Sequence, residues 1–304
     1  MPQFPGWARP QADAPRDTLL VQAAGALAAL QGAAGAVGDW RGAWRDRLAL
    51  RAAVGSLKAI GRPETEVALR DAVHHREAAT DPGPGGRMVE LWRAFARRSP
   101  PDTEDEMALA AMRFGFAWGD DLQALWRVRE DITAAESPLT AAVQLVTAPV
   151  PLKRESLPLA YLMADAVLAA RTRWPLGVPL LATAPTKALT PLGGAGGNRE
   201  IALWQAQHWL AYGRAAAAAW DLAVALSDRA AALTSVEGLR AKGATVIIAA
   251  LLANDAVRAG GPDTKVSEAL TITQRARRRF LETLEQRKLI RELTGRATSR
   301  LYGL

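Results

Sequence analysis

Most of the chain follows one pattern of apolar and polar positions. Apolar residues recur three and four positions apart in successive stretches, and breaks rich in proline and glycine separate these stretches. We therefore predict a body of packed helices over residues 18–258. The predicted helices are 18–30, 40–60, 64–76, 87–98, 103–116, 120–129, 159–173, 200–234 and 238–257.

Two stretches interrupt this helical pattern. Residues 1–17 contain Pro2, Pro5, Pro10 and Pro15 and are predicted to form a loose N-terminal arm. Residues 176–198 hold three prolines and five glycines, so we expect the longest non-helical region and an internal boundary there.

The pattern changes in residues 264–304, which we call the tail. Val266, Ala269 and Leu270 predict a short amphipathic helix, and Thr271 or Thr273 is a suitable N-cap for a second helix over 274–288. The apolar stripe of that second helix is predicted to contain Ala276, Phe280, Leu281 and Leu284.

Two strands are predicted to follow the second helix. They cover 289–293 and 299–302, and the loop between them contains Gly295, which is suited to a positive φ angle. The predicted fold class is therefore all-α: a multi-helix, alanine-rich body followed by a small winged helix-turn-helix with a β-hairpin wing.

Positive charge is concentrated in the tail. It carries ten basic and four acidic residues, whereas the whole chain has a formal net charge of +7. A basic helix and wing are the features that phosphate binding requires. The predicted contacts to bases and phosphates of double-stranded DNA are Gln274, Arg275, Arg277, Arg278, Arg287, Arg296 and Arg300. A solvated basic face and a protein-docking surface are the alternatives.

A family resemblance covers nearly the full length. Its segments are Trp44–Ala53, Ala68–Ala72, Asp81–Arg87, Ala164–Pro175 and Arg291–Leu304. They resemble a bacterial domain-of-unknown-function family, often plasmid-borne, whose tail is similar to the winged helix of some Fic-type proteins. The resemblance implies no activity. Gly197-Asn198-Arg199 is similar to the end of a Fic catalytic loop, but the upstream histidine of that motif is absent.

Composition limits the kinds of site, the cellular location and the role of the tryptophans that we expect. The chain has no cysteine, which excludes disulfides and thiolate sites and fits a reducing compartment. Residues 1–15 contain no long apolar run, so we expect a cytoplasmic protein without membrane contact. Most of the ten tryptophans lie in amphipathic contexts and are predicted to pack in the core.

No motif predicts catalysis, a metal or a cofactor. His74 and His75 are adjacent and would diverge on a helix, and His208 is predicted to be a hydrogen-bonded core residue. Asp165 lies within an apolar helix, where a buried carboxylate needs a partner. We first expect a buried ion pair with Arg171 or Arg173.

The sequence therefore supports three functional hypotheses. The first is a non-enzymatic DNA-binding protein, compatible with a homodimer, that regulates transcription or a mobile element. The second is an interaction protein, such as a toxin-antitoxin-like partner, that docks protein on the winged helix. The third is an enzyme with its site near Asp165 and Arg171. An apolar patch on the basic helix would favour the second, and a deep polar pocket in the body the third.

Overall fold

A computed structural model describes residues 3–35, 38–75, 80–132, 136–184, 198–235, 243–260, 273–295 and 299–304. Helix accounts for 69% of the described residues and strand for 3%, so the predicted all-α class is confirmed. The helices are α1 Arg16–Gly35, α2 Arg41–Ala59, α3 Glu66–His74, α4 Gly83–Arg97, α5 Glu104–Arg113, α6 Asp120–Asp131, α7 Pro138–Val146, α8 Leu157–Thr172, α9 Asn198–Thr234, α10 Ala244–Ala253 and α11 Gln274–Gln286. The strands are β1 Val257–Arg258, β2 Arg291–Glu292 and β3 Leu301–Gly303.

Hydroxyl side chains begin several of these helices. Thr65, Thr103, Ser137 and Thr273 each accept a hydrogen bond from the backbone N–H three residues later. Such caps satisfy donors that the first helical turn leaves open. The prediction of a threonine cap before the second tail helix is confirmed at Thr273.

The core is built around α2 and α8. Helix α2 packs against α4, α7 packs against α8, and α1 lies along the long helix α9. Trp44 and Trp92 are fully buried, and their indole N–H groups donate to the Ala219 carbonyl and the Ser56 hydroxyl, both at 2.9 Å. The packing role predicted for these tryptophans is therefore confirmed.

A glycine in the middle of α2 permits one close approach. Gly55 lies against the backbone of the 3₁₀ turn Leu181–Thr183, and a Cβ atom at this position would overlap the Ala182 carbonyl oxygen. The space is filled by backbone, which cannot move aside as a flexible side chain can. Glycine is thus required for the contact between α2 and this turn.

The N-terminal segment differs from the predicted loose arm. Ala8 is fully buried, the Phe4 and Trp220 ring centroids are 6.0 Å apart, and Arg9 donates to both carboxylate oxygens of Asp221 at 2.9 and 2.7 Å. Small and aromatic side chains let the proline-rich segment lie across α9, a contact that helical periodicity cannot reveal.

Helix α1 is long and apolar enough, by length and composition alone, to cross a membrane. It is the one such helix within the ranges that the structure describes, and 44% of its most apolar window is buried inside the fold.

The three strands form one small antiparallel sheet in the order β1-β3-β2. Val257 pairs with Tyr302, and Glu292 pairs with Tyr302 from the other side. The predicted helix over 238–257 is wrong at its end, because α10 stops at Ala253 and the chain continues into β1. The tail strands are shorter than predicted, and β3 joins the tail to a strand that precedes it.

Some predictions lie outside the described residues. They are the first tail helix around Val266–Leu270, the contact residue Arg296, and the glycine cluster Gly193–Gly197.

Candidate nucleic-acid interface

One side of α11 is buried against the rest of the fold. Phe280, Leu281 and Leu284 are buried, as the apolar stripe predicted. The stripe also contains Arg277, which is only 5% exposed and whose Nε donates to the Ala259 carbonyl oxygen at 3.3 Å. Ala276, predicted to face inward, is exposed.

Arg277 is therefore buried, although the sequence predicts it on the outer surface of the helix. It precedes Phe280 by three residues and Leu281 by four, so helical geometry puts all three on one face. The long apolar stem of an arginine can pack there while its guanidinium finds a carbonyl. Arg277 anchors the helix and is not available at its outer surface.

The opposite side of α11 is polar and cationic. Gln274, Arg275, Arg278 and Arg279 are all exposed. Arg278 forms an ion pair with Glu282, with 2.8 Å between Nε and the carboxylate oxygen. Arg279 was not among the predicted contacts, although its position four residues after Arg275 places it on the same outer face.

The cationic surface continues past the end of α11. Arg287, Lys288 and Arg291 are exposed. Lys288 adopts a left-handed conformation with φ of 59°, and the Leu289 N–H returns to the Leu284 carbonyl at 3.0 Å. This is the usual way to end a helix and turn the chain sharply. The turn carries the positive surface directly from helix to β2.

The hairpin between β2 and β3 is closed by an acidic side chain. Glu292 accepts hydrogen bonds from the backbone N–H groups of Thr294 and Gly295, at 2.9 and 2.8 Å. Partial burial raises the pKa of Glu292, but hydrogen bonds from the Thr294 hydroxyl and from these two N–H groups outweigh it, and the pKa is lowered overall. Gly295 has φ of 63°, which confirms the positive φ angle predicted for it.

Arg300 stands at the start of β3 and is partly exposed. Interaction with Tyr302, and to a smaller extent with Glu292 and Glu285, raises the pKa of its guanidinium. Arg300 thus remains positively charged beside the hairpin. Of the seven predicted contact residues, five are at least partly exposed, Arg277 is buried, and Arg296 lies outside the described ranges.

Buried ion pairs hold the sheet against the body. Asp255, just before β1, is fully buried and accepts hydrogen bonds from Arg47 Nε at 3.0 Å and Arg70 Nε at 2.7 Å. Burial raises the pKa of Asp255, but the positive charges of Arg70 and Arg47 outweigh it, so the pKa lies well below its ordinary value. Arg47 also donates to the Leu304 carbonyl oxygen at 2.6 Å.

A second buried carboxylate continues this network. Asp46 is fully buried and lies 2.8 Å from both Nε and Nη2 of Arg97. Asp46 also accepts the Asp255 backbone N–H at 3.3 Å and lies 3.7 Å from Arg93 Nε. Helices α2, α3 and α4 therefore all hold the segment that leads into β1, and the sheet behind the cationic surface has a fixed support.

The positive potential extends to α9. The pKa of the Arg229 guanidinium is lowered mainly by burial, and the like charges of Arg291 and Arg47 lower it further. The positive charges of Arg291 and Arg47 therefore both act on Arg229. An anion placed near Arg229 and Arg291 would relieve that repulsion.

The residues considered for catalysis have structural roles in the body. Asp165 is fully buried and accepts the backbone N–H groups of Leu180 and Leu181, at 2.8 and 3.2 Å. Burial raises its pKa to about 7, although these two bonds and Tyr212 act to lower it. The expected ion pair is not the observed arrangement, since Arg171 donates to the Glu136 and Ile132 carbonyls.

One of the three histidines, His208, lies in the core. His208 is buried, its Nδ1 lies 2.8 Å from the Trp204 carbonyl oxygen, and burial lowers its pKa. This confirms the prediction of a hydrogen-bonded core histidine. Over the described ranges, no group of three or more His, Cys, Asp or Glu side chains is arranged to hold a metal ion.

A family model described as a protein of unknown function, DUF1403, matches residues 1–304. No curated protein matches the chain.

Proposed function

We propose that this chain, which belongs to the DUF1403 family of proteins of unknown function, binds double-stranded DNA through its C-terminal part. The proposed surface consists of the outer face of α11, the turn after it and the hairpin. Apart from Arg296, which the sequence predicts and which lies outside the described ranges, its residues are Gln274, Arg275, Arg278, Arg279, Arg287, Lys288, Arg291 and Arg300. We refer to this set as the basic surface.

The order of elements supports a winged helix. A strand, a helix and a hairpin follow one another as β1, α11, β2 and β3, and the second hairpin strand lies between the other two. In a winged helix the hairpin follows the recognition helix and an earlier strand completes the sheet. In this proposal α11 is the recognition helix that enters the major groove, and the hairpin is the wing beside it.

The single observation that carries the proposal is the division of α11 into two faces. Its large apolar residues and Arg277 are buried, whereas Arg275, Arg278 and Arg279 are exposed together on the outside. Three arginines on one solvent-facing helix surface can contact phosphates and the guanine edge. Within the described tail, Glu282 is the acidic side chain that forms an ion pair with one of them, Arg278, and an incoming phosphate can displace it.

The same surface is poorly suited to an apolar protein partner. Within the part of the chain that the structure describes, the exposed large apolar side chains are Trp7, Val21, Val67, Leu109, Met112 and Leu203, and all precede the tail. A protein interface normally centres on apolar and aromatic residues with few charges. We therefore place protein docking on the basic surface second to DNA binding.

The test is a comparison of two triple charge reversals. Fluorescence anisotropy with a labelled duplex would measure DNA affinity for the wild type and for Arg275→Glu/Arg278→Glu/Arg279→Glu. We expect the triple variant to bind roughly 100-fold more weakly, because each lost phosphate or base contact costs on the order of 1 kcal/mol or more. Circular dichroism would verify that it remains folded.

The control changes the net charge equally but elsewhere. Arg62, Arg127 and Arg214 are exposed and lie in the body. The variant Arg62→Glu/Arg127→Glu/Arg214→Glu should keep nearly wild-type affinity. Equal weakening by both triple variants would show that only net charge matters, and absence of wild-type binding at low salt would exclude the proposal.

We further propose that DNA binding serves regulation of transcription or of a mobile element. The buried ion pairs from α2 and α3 to Asp255 support this role, because they give the body a rigid connection to the DNA-reading part. Selection of bound duplexes from a random pool distinguishes the outcomes. Enrichment of one short sequence is expected, and an unenriched pool would indicate a sequence-independent binder instead.

A further inference from the structure

A cleft far from the tail in sequence has the properties of a small-molecule site. It lies between α4, α5 and α8 and encloses about 420 Å³, counting the part that opens to solvent. Its inner surface is apolar and includes Leu91, Phe95 and Leu162, each of which is almost completely buried. Concave, largely apolar clefts with a few polar groups are where small ligands bind.

The mouth of the cleft is cationic. Arg98, which follows α4, and Arg113, which ends α5, both line it. Both are exposed. No carboxylate of the described residues forms an ion pair with either guanidinium. The Arg113 guanidinium lies 5.9 Å from the ring centroid of Phe114, and Phe114 is also part of the lining. Other arginines of the body, such as Arg47 and Arg70, do have carboxylate partners.

Two arginines without carboxylate partners beside an apolar cleft favour one class of ligand. An anionic head group would receive charge-assisted hydrogen bonds from planar guanidinium groups. An apolar ring or short chain attached to it would fill the space against Phe95 and Leu162. The enclosed part of the cleft is small, which limits the apolar portion to about one ring or a few carbons.

We propose that this cleft binds a small carboxylate with an apolar ring or short chain, held by Arg98 and Arg113 at the carboxylate and by the apolar lining at the other end. The site is independent of the basic surface. It also differs from the polar pocket expected for an enzyme, because its lining offers no carboxylate, histidine or cysteine within the described residues.

Phenylacetate is the probe, and phenylacetamide and acetate are its matched controls. The amide keeps the ring but lacks the charge, and acetate keeps the charge but lacks the ring. Isothermal titration calorimetry or ligand-detected NMR should show that the wild type binds phenylacetate about tenfold more tightly than the amide, since hydrogen bonds to charged groups exceed neutral ones. Acetate should bind more weakly than both.

Three variants separate the two parts of the site. Arg98→Gln/Arg113→Gln should reduce phenylacetate affinity to that of the amide and leave amide affinity unchanged. Arg98→Lys/Arg113→Lys should restore part of the preference. Ala110→Leu, which adds bulk to the lining, should weaken both ring-containing ligands.

The matched control is Arg62→Gln/Arg127→Gln, which neutralises two exposed arginines outside the cleft. It should preserve the preference for phenylacetate. Equal binding of acid and amide by the wild type, or binding of neither, would overturn the proposal. So would an unchanged preference in the Arg98→Gln/Arg113→Gln variant.

Discussion

Removing the carboxylate of Asp255 should destabilise the whole protein. Asp255 is fully buried and pairs with Arg47 and Arg70, whose side chains are only 14% and 6% exposed. In the variant Asp255→Ala, the guanidinium groups of Arg47 and Arg70 remain largely shielded from solvent but lose the carboxylate that lies between them. Breaking a buried ion pair by removing one partner costs about 3–5 kcal/mol, which is a large part of the total stability of a typical domain.

The measurement is urea unfolding of wild type and variant, followed by tryptophan fluorescence. The control is Asp221→Ala, which removes an ion pair to Arg9 whose side chains are 50% and 53% exposed. An exposed pair contributes about 1 kcal/mol or less. A loss for Asp255→Ala no larger than that of the control would refute the view that this network holds the sheet on the body.

The pH dependence of the same loss gives a second check. The folded pKa of Asp255 is lowered, so its contribution to stability is present above the unfolded pKa of about 3.9 and is lost as pH falls through the folded pKa. The difference in unfolding free energy between wild type and Asp255→Ala should therefore be full at pH 7. It should shrink below about pH 4, and a difference that grows on acidification would contradict the argument.

Two further predictions concern the body. Gly55→Ala should lower the free energy of unfolding by about 1–3 kcal/mol in urea unfolding, because its methyl group would overlap the Ala182 backbone. The control is Gly35→Ala, which should be neutral or slightly stabilising because no atom lies within 4 Å of the added methyl group. Asp165 has a folded pKa raised to about 7 from 3.8, so unfolding free energy should fall by up to about 4 kcal/mol as pH rises between these values. Asp165→Asn should flatten that dependence, and an equally steep profile in the variant would assign the pH effect to other groups.

Local signals in the sequence predict much of the helical framework. Helix α8 was predicted over 159–173 and runs over Leu157–Thr172, because Arg173 takes a left-handed conformation ahead of Trp174 and Pro175. Thr273 caps α11 as expected. These features depend on neighbours within a few residues, which sequence patterns report directly.

Features that depend on distant contacts were missed. Strand β1 has two residues, too few for a periodic pattern, and exists because Val257 pairs with Tyr302. Asp165 was expected to find a cation, yet its partners are backbone N–H groups of Leu180 and Leu181, which carry no sequence signal. Arg277 is the exception, because its spacing to Phe280 and Leu281 does indicate an inward position.

The proposed basic surface was predicted only in outline. Charge concentration identified the segment that carries the proposed surface, since it depends on composition alone. Which arginines face solvent depends on how α11 packs against the rest of the fold. Arg277 is buried and Arg279 is exposed, so Arg279 takes the place of Arg277 in the proposed set.

The salt dependence of DNA binding tests the central claim most directly. The affinity of wild type for a labelled duplex would be measured over a salt series, together with single variants Arg279→Gln and Arg62→Gln. The slope of log K against log salt concentration should be negative, at about −0.9 for each phosphate neutralised. Arg279→Gln should make it less negative by about one unit, and Arg62→Gln should leave it unchanged. A flat wild-type line, or a slope that Arg62→Gln alters as much as Arg279→Gln, would contradict DNA binding through the outer face of α11.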